Sequence, residues 1–290
     1  MDLLPGNLRA HLEEEAELSI RSATRLSGGD INSAAKISTN SEVLFLKWNR
    51  PDLADMFVKE ARGLKLLREA GSGLRVPHVI ACGGGEKSVP GYLLLEYIEP
   101  QRGDRNASAA FGRRLARLHA CNEDHFGLSF DNYIGRLPQS NRMAESWSEF
   151  FPDSRIEPQL KMAIDQGRID SSIQTHWDRL AGRLEEIFPE CRPSLIHGDL
   201  WGGNYFFDAD NRAVLIDPAV YYGHPEMELS FTRMFGGFSD AFYDAYAGET
   251  RIEPGFSDRI PIYNLYPLLV HVNLFGGHYS RQAESLLKQF

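Results

Sequence analysis

The spacing of apolar residues divides this chain into blocks. Leu8, Leu12, Ala16 and Leu18 recur on or near one face with glutamates opposite, which predicts a helix from Leu8 to Ser19. Ser22 to Ser27 predicts a strand, followed by the turn Gly28-Gly29-Asp30. Ala34 to Ser38 and Val43 to Trp48 predict a hairpin around Thr39-Asn40-Ser41. Met56, Ala61, Leu64 and Leu67 place a helix over Asp55 to Ala70, closed by Gly71 and Gly73. Val76 to Ile80 enters a strand, and Gly83-Gly84-Gly85 is a turn. Tyr92 to Ile98 is a continuous apolar run, as expected of a strand buried on both faces.

That run stops at Glu99-Pro100, and the polar stretch Gln101 to Asn106 is the best candidate for a hinge. Beyond it the period becomes helical. Phe111, Leu115, Leu118 and His119 share one helix, with His119 read as a packed core histidine. Ser146 to Gln166 and Ser171 to Phe188 predict two more helices, the first broken near Pro152 or Pro158. Leu195-Ile196 and Val214-Leu215-Ile216 are short apolar runs separated by a polar, glycine-rich turn. Pro225 suits the first position of a helix, where Glu226 and Glu228 favour the helix dipole. Phe231 to Phe238 and Phe242 to Ala247 continue as helices, Arg259 to Gly276 reads as one long buried helix, and Tyr279 to Phe290 as a last amphipathic one. At 290 residues the chain is long enough for two lobes with separate cores, and the hinge places them at 1–98 and 99–290.

Composition narrows the class. A net charge of −9 argues against nucleic acid as a bulk partner, because phosphate contacts need a basic face. The first residues carry neither a basic start nor an apolar run, and no window is long and apolar enough to span a bilayer, so neither secretion nor a membrane is expected. Cys82, Cys121 and Cys191 are odd in number and far apart, which points to reduced thiols in a cytoplasmic protein.

The chemistry concentrates in Leu195-Ile196-His197-Gly198-Asp199-Leu200-Trp201-Gly202-Gly203-Asn204 and the later Asp217. An Asp, an Asn five positions on, and an Asp ending a strand is the order in which kinases carry a base for the attacking hydroxyl and two oxygen ligands for magnesium. Asp199 is thus the candidate base, and Asn204 and Asp217 the candidate ligands of a Mg2+ ion held against ATP. Lys47 sits on an otherwise apolar side of its strand; it is either an edge lysine reaching solvent or a phosphate ligand held by an anion. Glu60 on the next helix is the candidate partner, although alone it would read as a surface residue. Gly28 and Gly29 allow close backbone approach to a ligand, but they lack the third glycine of protein kinases and any following Gly-Lys-Ser/Thr. The nucleotide base would contact backbone at the hinge, near Glu96, Tyr97 and Ile98. His197 is read as bracing the loop, and Gly198 stands where protein kinases carry an arginine.

His197-Gly198-Asp199-Leu200-Trp201-Gly202-Gly203-Asn204, with Asp217-Pro218-Ala219-Val220-Tyr221-Tyr222-Gly223-His224-Pro225-Glu226-Met227-Glu228-Leu229 and Met234-Phe235-Gly236-Gly237-Phe238, resembles the fructosamine kinase (ketosamine 3-kinase) family. His-Gly-Asp with a later Asn and Asp is shared with aminoglycoside phosphotransferases and choline kinases; the tryptophan and the Asp-Pro-Ala-x-Tyr-Tyr-Gly-His-Pro-Glu-Met-Glu block are more specific. The resemblance covers nearly the whole chain. It implies an α+β, two-lobed protein-kinase-like fold, with an antiparallel sheet and one main helix in the N-lobe and a mostly helical C-lobe. It also implies use of ATP with magnesium and phosphorylation of the C3 hydroxyl of ketosamines, either small molecules or glycated protein lysines, in protein deglycation. Trp201 is either core or a face for the sugar, and Tyr221 and Tyr222 could line the same pocket. Some members carry a cysteine in the glycine loop and form redox-regulated dimers; this loop has none, and that regulation is not expected. The rival readings are a kinase of the same fold acting on another small alcohol, such as an aminoglycoside or choline, and a non-catalytic nucleotide-binding module.

Overall fold

The computed structural model describes residues 3–26 and 31–290. Gly28 and Gly29 lie outside the described residues. Near the N-terminus β1 (Ser22–Leu26), β2 (Ser33–Ser38), β3 (Val43–Asn49), β4 (Val79–Gly83) and β5 (Gly91–Glu96) form an antiparallel sheet in the order β1-β2-β3-β5-β4. Both of its faces are covered. Leu8 and Leu12 of α1 (Gly6–Glu15) pack with Leu44, Leu46 and Leu94 on one side. On the other, Phe57, Ala61 and Leu64 of α2 (Ala54–Glu69) pack with Leu93 and Leu95. Alternate residues of β5 thus enter different cores, which is why its sequence shows no polar alternation. Lys47 is opposite Ala34 on one side and Leu93 on the other, so β3 is central and the edge-lysine reading falls.

The remainder is mostly helical. Asp104 caps α3 (Arg105–His119), accepting from the Ala107 amide at 2.7 Å. Further along come β6 (Asn132–Ile134), β7 (Leu137–Gln139), α4 (Trp147–Phe150), α5 (Glu157–Asp165), α6 (Ile173–Ala181), α7 (Leu184–Ile187), β8 (Ser194–Ile196), β9 (Tyr205–Phe207), β10 (Ala213–Leu215) and β11 (Tyr221–Gly223). The chain ends with α8 (Pro225–Thr232), α9 (Asp240–Glu249), α10 (Phe256–Tyr263), α11 (Leu265–Phe275) and α12 (His278–Leu287). The architecture is that of a two-lobed protein-kinase-like fold, α+β in class. Among the described residues no helix is long and apolar enough to cross a membrane.

Several elements differ from the sequence reading, each for a local reason. α1 ends at Glu15, and Glu17 then turns the chain with φ 51°. Between α4 and α5 the helix does not break at Pro152; it widens into a π-turn over Phe151–Ile156, which accommodates the missing amide and the ring. The expected helix to Phe238 stops at Thr232, because Phe235, Gly236 and Gly237 all take positive φ (53°, 104° and 71°). The long helix divides at Asn264: Pro267 has no N–H to offer the Tyr263 carbonyl, so α10 ends and α11 begins.

One of the places where the sheet meets the helical part is Arg75. Its amide donates to the Ala213 carbonyl (3.0 Å) and its carbonyl accepts from the Leu215 amide (2.9 Å), so the chain entering β4 runs alongside β10. Its guanidinium reaches Glu96 at the end of β5 (2.5 Å) and the buried Asp208 just after β9 (2.7 Å).

Candidate active site

β8 and β11 pair antiparallel, as do β9 and β10, and the site is built on the turns that leave them. Beyond Ile196 the chain turns at Gly198, with φ 82°. A Cβ there would sit 2.0 Å from the Ala219 carbonyl oxygen, so only glycine fits. The Gly198 amide donates to Glu228 Oε1 (2.8 Å), and the other Glu228 oxygen accepts from His119 Nε2–H (2.9 Å). His119 Nδ1 then accepts from the Tyr246 hydroxyl at 2.8 Å. Burial alone would raise the Glu228 carboxyl, but the bonds from His119 and Gly198 outweigh it and hold it below its usual range. His197 Nε2–H donates to the Ile216 carbonyl (2.9 Å) and Nδ1 faces the Asp199 amide (3.3 Å). Burial lowers its pKa, so the ring is a neutral brace, as expected from the sequence.

Asn204 Nδ2 donates both to the Asp199 carbonyl and to Asp199 Oδ2, each at 2.8 Å. Its Oδ1 is left without a protein hydrogen bond among the described residues. The Ile216 amide donates to the Asn204 carbonyl (3.0 Å), which sets Asp217 beside Asn204. Asp217 has φ 54°, a strained value for a residue with a side chain. Lys47, only 5 % exposed, lies between two carboxylates: Glu60 Oε2 at 2.5 Å and Asp217 Oδ1 at 2.7 Å. Burial would lower the Lys47 pKa, but Asp217 and Glu60 reverse that and keep the ammonium charged. Glu60 is pushed up to about 7, because burial outweighs the attraction of Lys47. Burial and the facing Asp217 carboxylate raise the Asp199 carboxyl well above the usual range. Trp201 lies beside this group, 36 % exposed, its ring over Gly203, where an added Cβ would meet it at 2.4 Å.

The structure therefore brings Lys47, Glu60, Asp199, Asn204 and Asp217 together, with Trp201 at the edge. Other sequence candidates lie elsewhere. The Glu96 carboxylate pairs with Arg75 and accepts from the His78 amide (3.3 Å), and its own amide donates to the His78 carbonyl (2.9 Å). The Tyr97 ring lies 4.2 Å beneath the Lys36 ammonium, and Ile98 is buried. Tyr221 is a correction. Tyr221 is 0 % exposed, with the Arg155 guanidinium 3.8 Å from its ring, so it forms the floor behind Gly198 and lines no open pocket. Tyr222 is half-buried against the core, its backbone paired with Gly127. The ring that does meet Trp201 is Phe235, with centroids 5.9 Å apart. Phe235 and the bracing role of Glu228 were missed in the sequence; the Met234-Phe235-Gly236-Gly237 string was the available signal for the first.

A buried lysine held by a helical glutamate and a strand-end aspartate, opposite an Asp–Asn pair on a protein-kinase-like fold, defines a phosphotransferase. A model of the fructosamine kinase family matches residues 7–290. A probable ketoamine kinase of Enterococcus faecium is 40 % identical over 265 residues, which is 91 % of this chain and 93 % of that one. The chloroplastic protein-ribulosamine 3-kinase of Arabidopsis thaliana is 35 % identical over 287 residues, 96 % of this chain and 85 % of that one. The crystal structure of a fructosamine-3-kinase candidate from Thermobifida fusca superposes with a TM-score of 0.87 at 30 % identity, covering 98 % of both chains. An aminoglycoside phosphotransferase in ternary complex with AMP-PNP and hygromycin B has a TM-score of 0.63 at 16 % identity, covering 98 % of this chain and 97 % of that one; it shares the fold. The chain belongs to the fructosamine kinase family.

Proposed function

We propose that this protein is an ATP-dependent ketosamine 3-kinase. It transfers the γ-phosphoryl group of ATP to the C3 hydroxyl of a sugar joined to an amine, as in the fructosamine and ribulosamine adducts of amines or protein lysines. Asp199 takes the hydroxyl proton while the oxygen bonds to phosphorus, the bond from phosphorus to the β–γ bridging oxygen breaks, and ADP leaves. Such a transfer asks of the protein mainly position and charge neutralisation. Lys47 binds phosphate oxygens, aimed by Glu60. Asn204 holds the Asp199 carboxylate in place through Nδ2, and its spare Oδ1 together with the Asp217 carboxylate makes the hard-oxygen donor set that suits Mg2+. A magnesium ion held there would neutralise charge on the phosphates. Residues 1–98 and 99–290 serve as the two lobes. The Glu96 amide is already donated to His78, so the adenine contact falls to the backbone of Tyr97 and Ile98.

The observation that carries this reading is Lys47, buried and bonded at once to Glu60 and Asp217, 170 positions from the latter. Turnover of magnesium-ATP should be measured over a panel of ribulosamines, fructosamines, aminoglycosides and choline. Phosphate incorporation into the ketosamines alone is expected. Preferential phosphorylation of an aminoglycoside or choline, or no turnover of any acceptor, would overturn the assignment.

A further inference from the structure

Arg155 is wholly buried, and its guanidinium pairs with no carboxylate among the described residues. Nη1 donates to the Ser140 and Ser154 carbonyls (2.6 and 3.0 Å), and Nη2 donates to Asn141 Oδ1 (2.7 Å). Its Cζ lies 3.8 Å from the centre of the Tyr221 ring and 4.6 Å from that of Phe150. A cation without a counter-charge is costly in a protein interior, and an apolar side chain of similar length would fill the space at less cost. Arg155 also stands on the π-turn Phe151–Ile156, a distortion of a kind that often marks a functional position.

What this side chain supplies is direction. A guanidinium can only donate hydrogen bonds, whereas the amide of asparagine or glutamine donates or accepts according to how it is turned. Asn141 must therefore show Arg155 its oxygen, which leaves its Nδ2 to donate to Asn132 Oδ1 (2.9 Å). Gln139 Nε2 donates to the same oxygen (2.7 Å), and its Oε1 accepts from the Tyr266 hydroxyl (2.5 Å). Asn132 Nδ2 is then aimed at the Val220 carbonyl (2.8 Å), and Gln139 Nε2 also reaches the Ala219 carbonyl (3.1 Å). All three amides are buried, so a reversed one would set oxygen against oxygen with no bulk water to screen it. The two carbonyls belong to the segment between Asp217 and β11. The Ala219 amide donates to the His197 carbonyl, and the Ala219 oxygen packs on Gly198, the residue before Asp199. Tyr221, which carries the guanidinium on its ring, is the floor under the same glycine.

We propose that Arg155 is a positioning residue for phosphoryl transfer. As the donor-only head of this chain it fixes how three buried amides are turned, and through them it holds the segment that sets Asp217 beside Asp199. The inference rests on the reading of those two carboxylates as metal ligand and base. Arg155 touches neither of them; it acts through Asn141, Asn132 and Gln139 on the Ala219 and Val220 carbonyls, and through Tyr221 on the turn at Gly198.

The test measures kcat for a fructosamine with magnesium-ATP, nucleotide affinity without magnesium, and melting temperature. The variants are Arg155→Lys, Arg155→Gln, Asn132→Asp and the double variant of the last two. Lysine is also a donor-only cation, so Arg155→Lys should keep kcat within about threefold of the parent. Glutamine can turn either way and releases the chain, while Asn132→Asp keeps the shape but sets an oxygen against the Val220 carbonyl. Each should lower kcat by about ten- to a hundredfold, the scale of a misplacement of up to about 1 Å at a reacting centre, and leave nucleotide affinity without magnesium unchanged. The double variant should be little worse than either single one, because both act through one chain. Parent-like kcat in Arg155→Gln, equal losses with lysine and glutamine, or fully additive losses in the double variant would overturn the proposal. If Arg155→Gln does not fold, Arg155→Lys and Asn132→Asp decide: a large loss in the first or parent-like turnover in the second is the refuting result. A parent that phosphorylates no ketosamine overturns the reading of Asp199 and Asp217, and the proposal with it.

Discussion

Replacing Gly198 by alanine adds one methyl group at the centre of the catalytic turn. That Cβ would lie 2.0 Å from the Ala219 oxygen and 2.7 Å from its carbon, so the two segments must part by about 1 Å before the contact becomes even a tight one. Alanine at φ 82° adds roughly 1–2 kcal/mol of backbone strain. Neither segment can yield alone. Ala219 is bonded through its amide to the His197 carbonyl (2.9 Å) and through its carbonyl to Gln139 (3.1 Å), while the Gly198 amide is tied to Glu228. Asp199 is the next residue on one segment, and Asp217 lies two before Ala219 on the other, so the shift reaches both functional carboxylates. A misplacement of about 1 Å at a reacting centre costs on the order of a hundredfold in rate. We therefore expect kcat for ketosamine phosphorylation to fall by about two orders of magnitude, and the melting temperature by only several degrees, at roughly 2–4 °C per kcal/mol for a chain of this size. Steady-state kinetics with a coupled ADP assay and a thermal melt on the same preparation measure both. Turnover within about threefold of the parent would refute the reasoning, since it would mean that the turn moves aside freely and its fit against Ala219 has no bearing on the placement of Asp199.

Other expectations are briefer. Asp199→Asn keeps the shape and removes the proton acceptor, so turnover should drop by roughly a hundred- to ten-thousand-fold while ATP binding, followed by titration calorimetry, persists. Lys47→Met should impair catalysis strongly and Glu60→Gln less; the double variant should be little worse than Lys47→Met, and fully additive losses would show that the two do not act as a pair. Burial alone would raise the Asp208 carboxyl, but hydrogen bonds from Arg75 and Arg212 hold it at about 2. Its folded pKa lies below the unfolded value, so this group stabilises the protein above about pH 4, by on the order of 2 kcal/mol, and the contribution is lost as pH falls toward 2. Asp208→Asn should therefore melt lower at neutral pH and lose less stability on acidification; an acid melting profile parallel to the parent's would exclude the effect.

The positions of Lys47, Glu60, Asp199, Asn204 and Asp217 were legible because residue type and order along the chain carry the signal, even across 170 positions. β5 was legible for a different reason: burial on two faces leaves an apolar run that nothing else of that length explains. Tyr221 was not. A three-residue strand of two tyrosines and a glycine has no polar contrast, and only the register of β11 on β8 decides which ring turns inward. Glu228 was read by its place in the first turn of a helix, correctly as structural, but its bond to Gly198 joins groups 30 positions apart that no local pattern links. The division of α10 from α11 was written in Pro267, and the strongly apolar composition around it masked the break.

Arg75 couples two strand ends through one side chain. Its backbone runs beside β10, the strand that leads to Asp217, while its side chain grips the end of β5 and the turn after β9. Tyr133 on Asp55, Cys121 on the Ala70 carbonyl and Arg62 on the Phe130 ring tie α2 and its C-terminal end to the helical part separately. A disturbance at Asp208 would therefore be relayed to the end of β5 by a single guanidinium, while α2 keeps its own hold on the helical part.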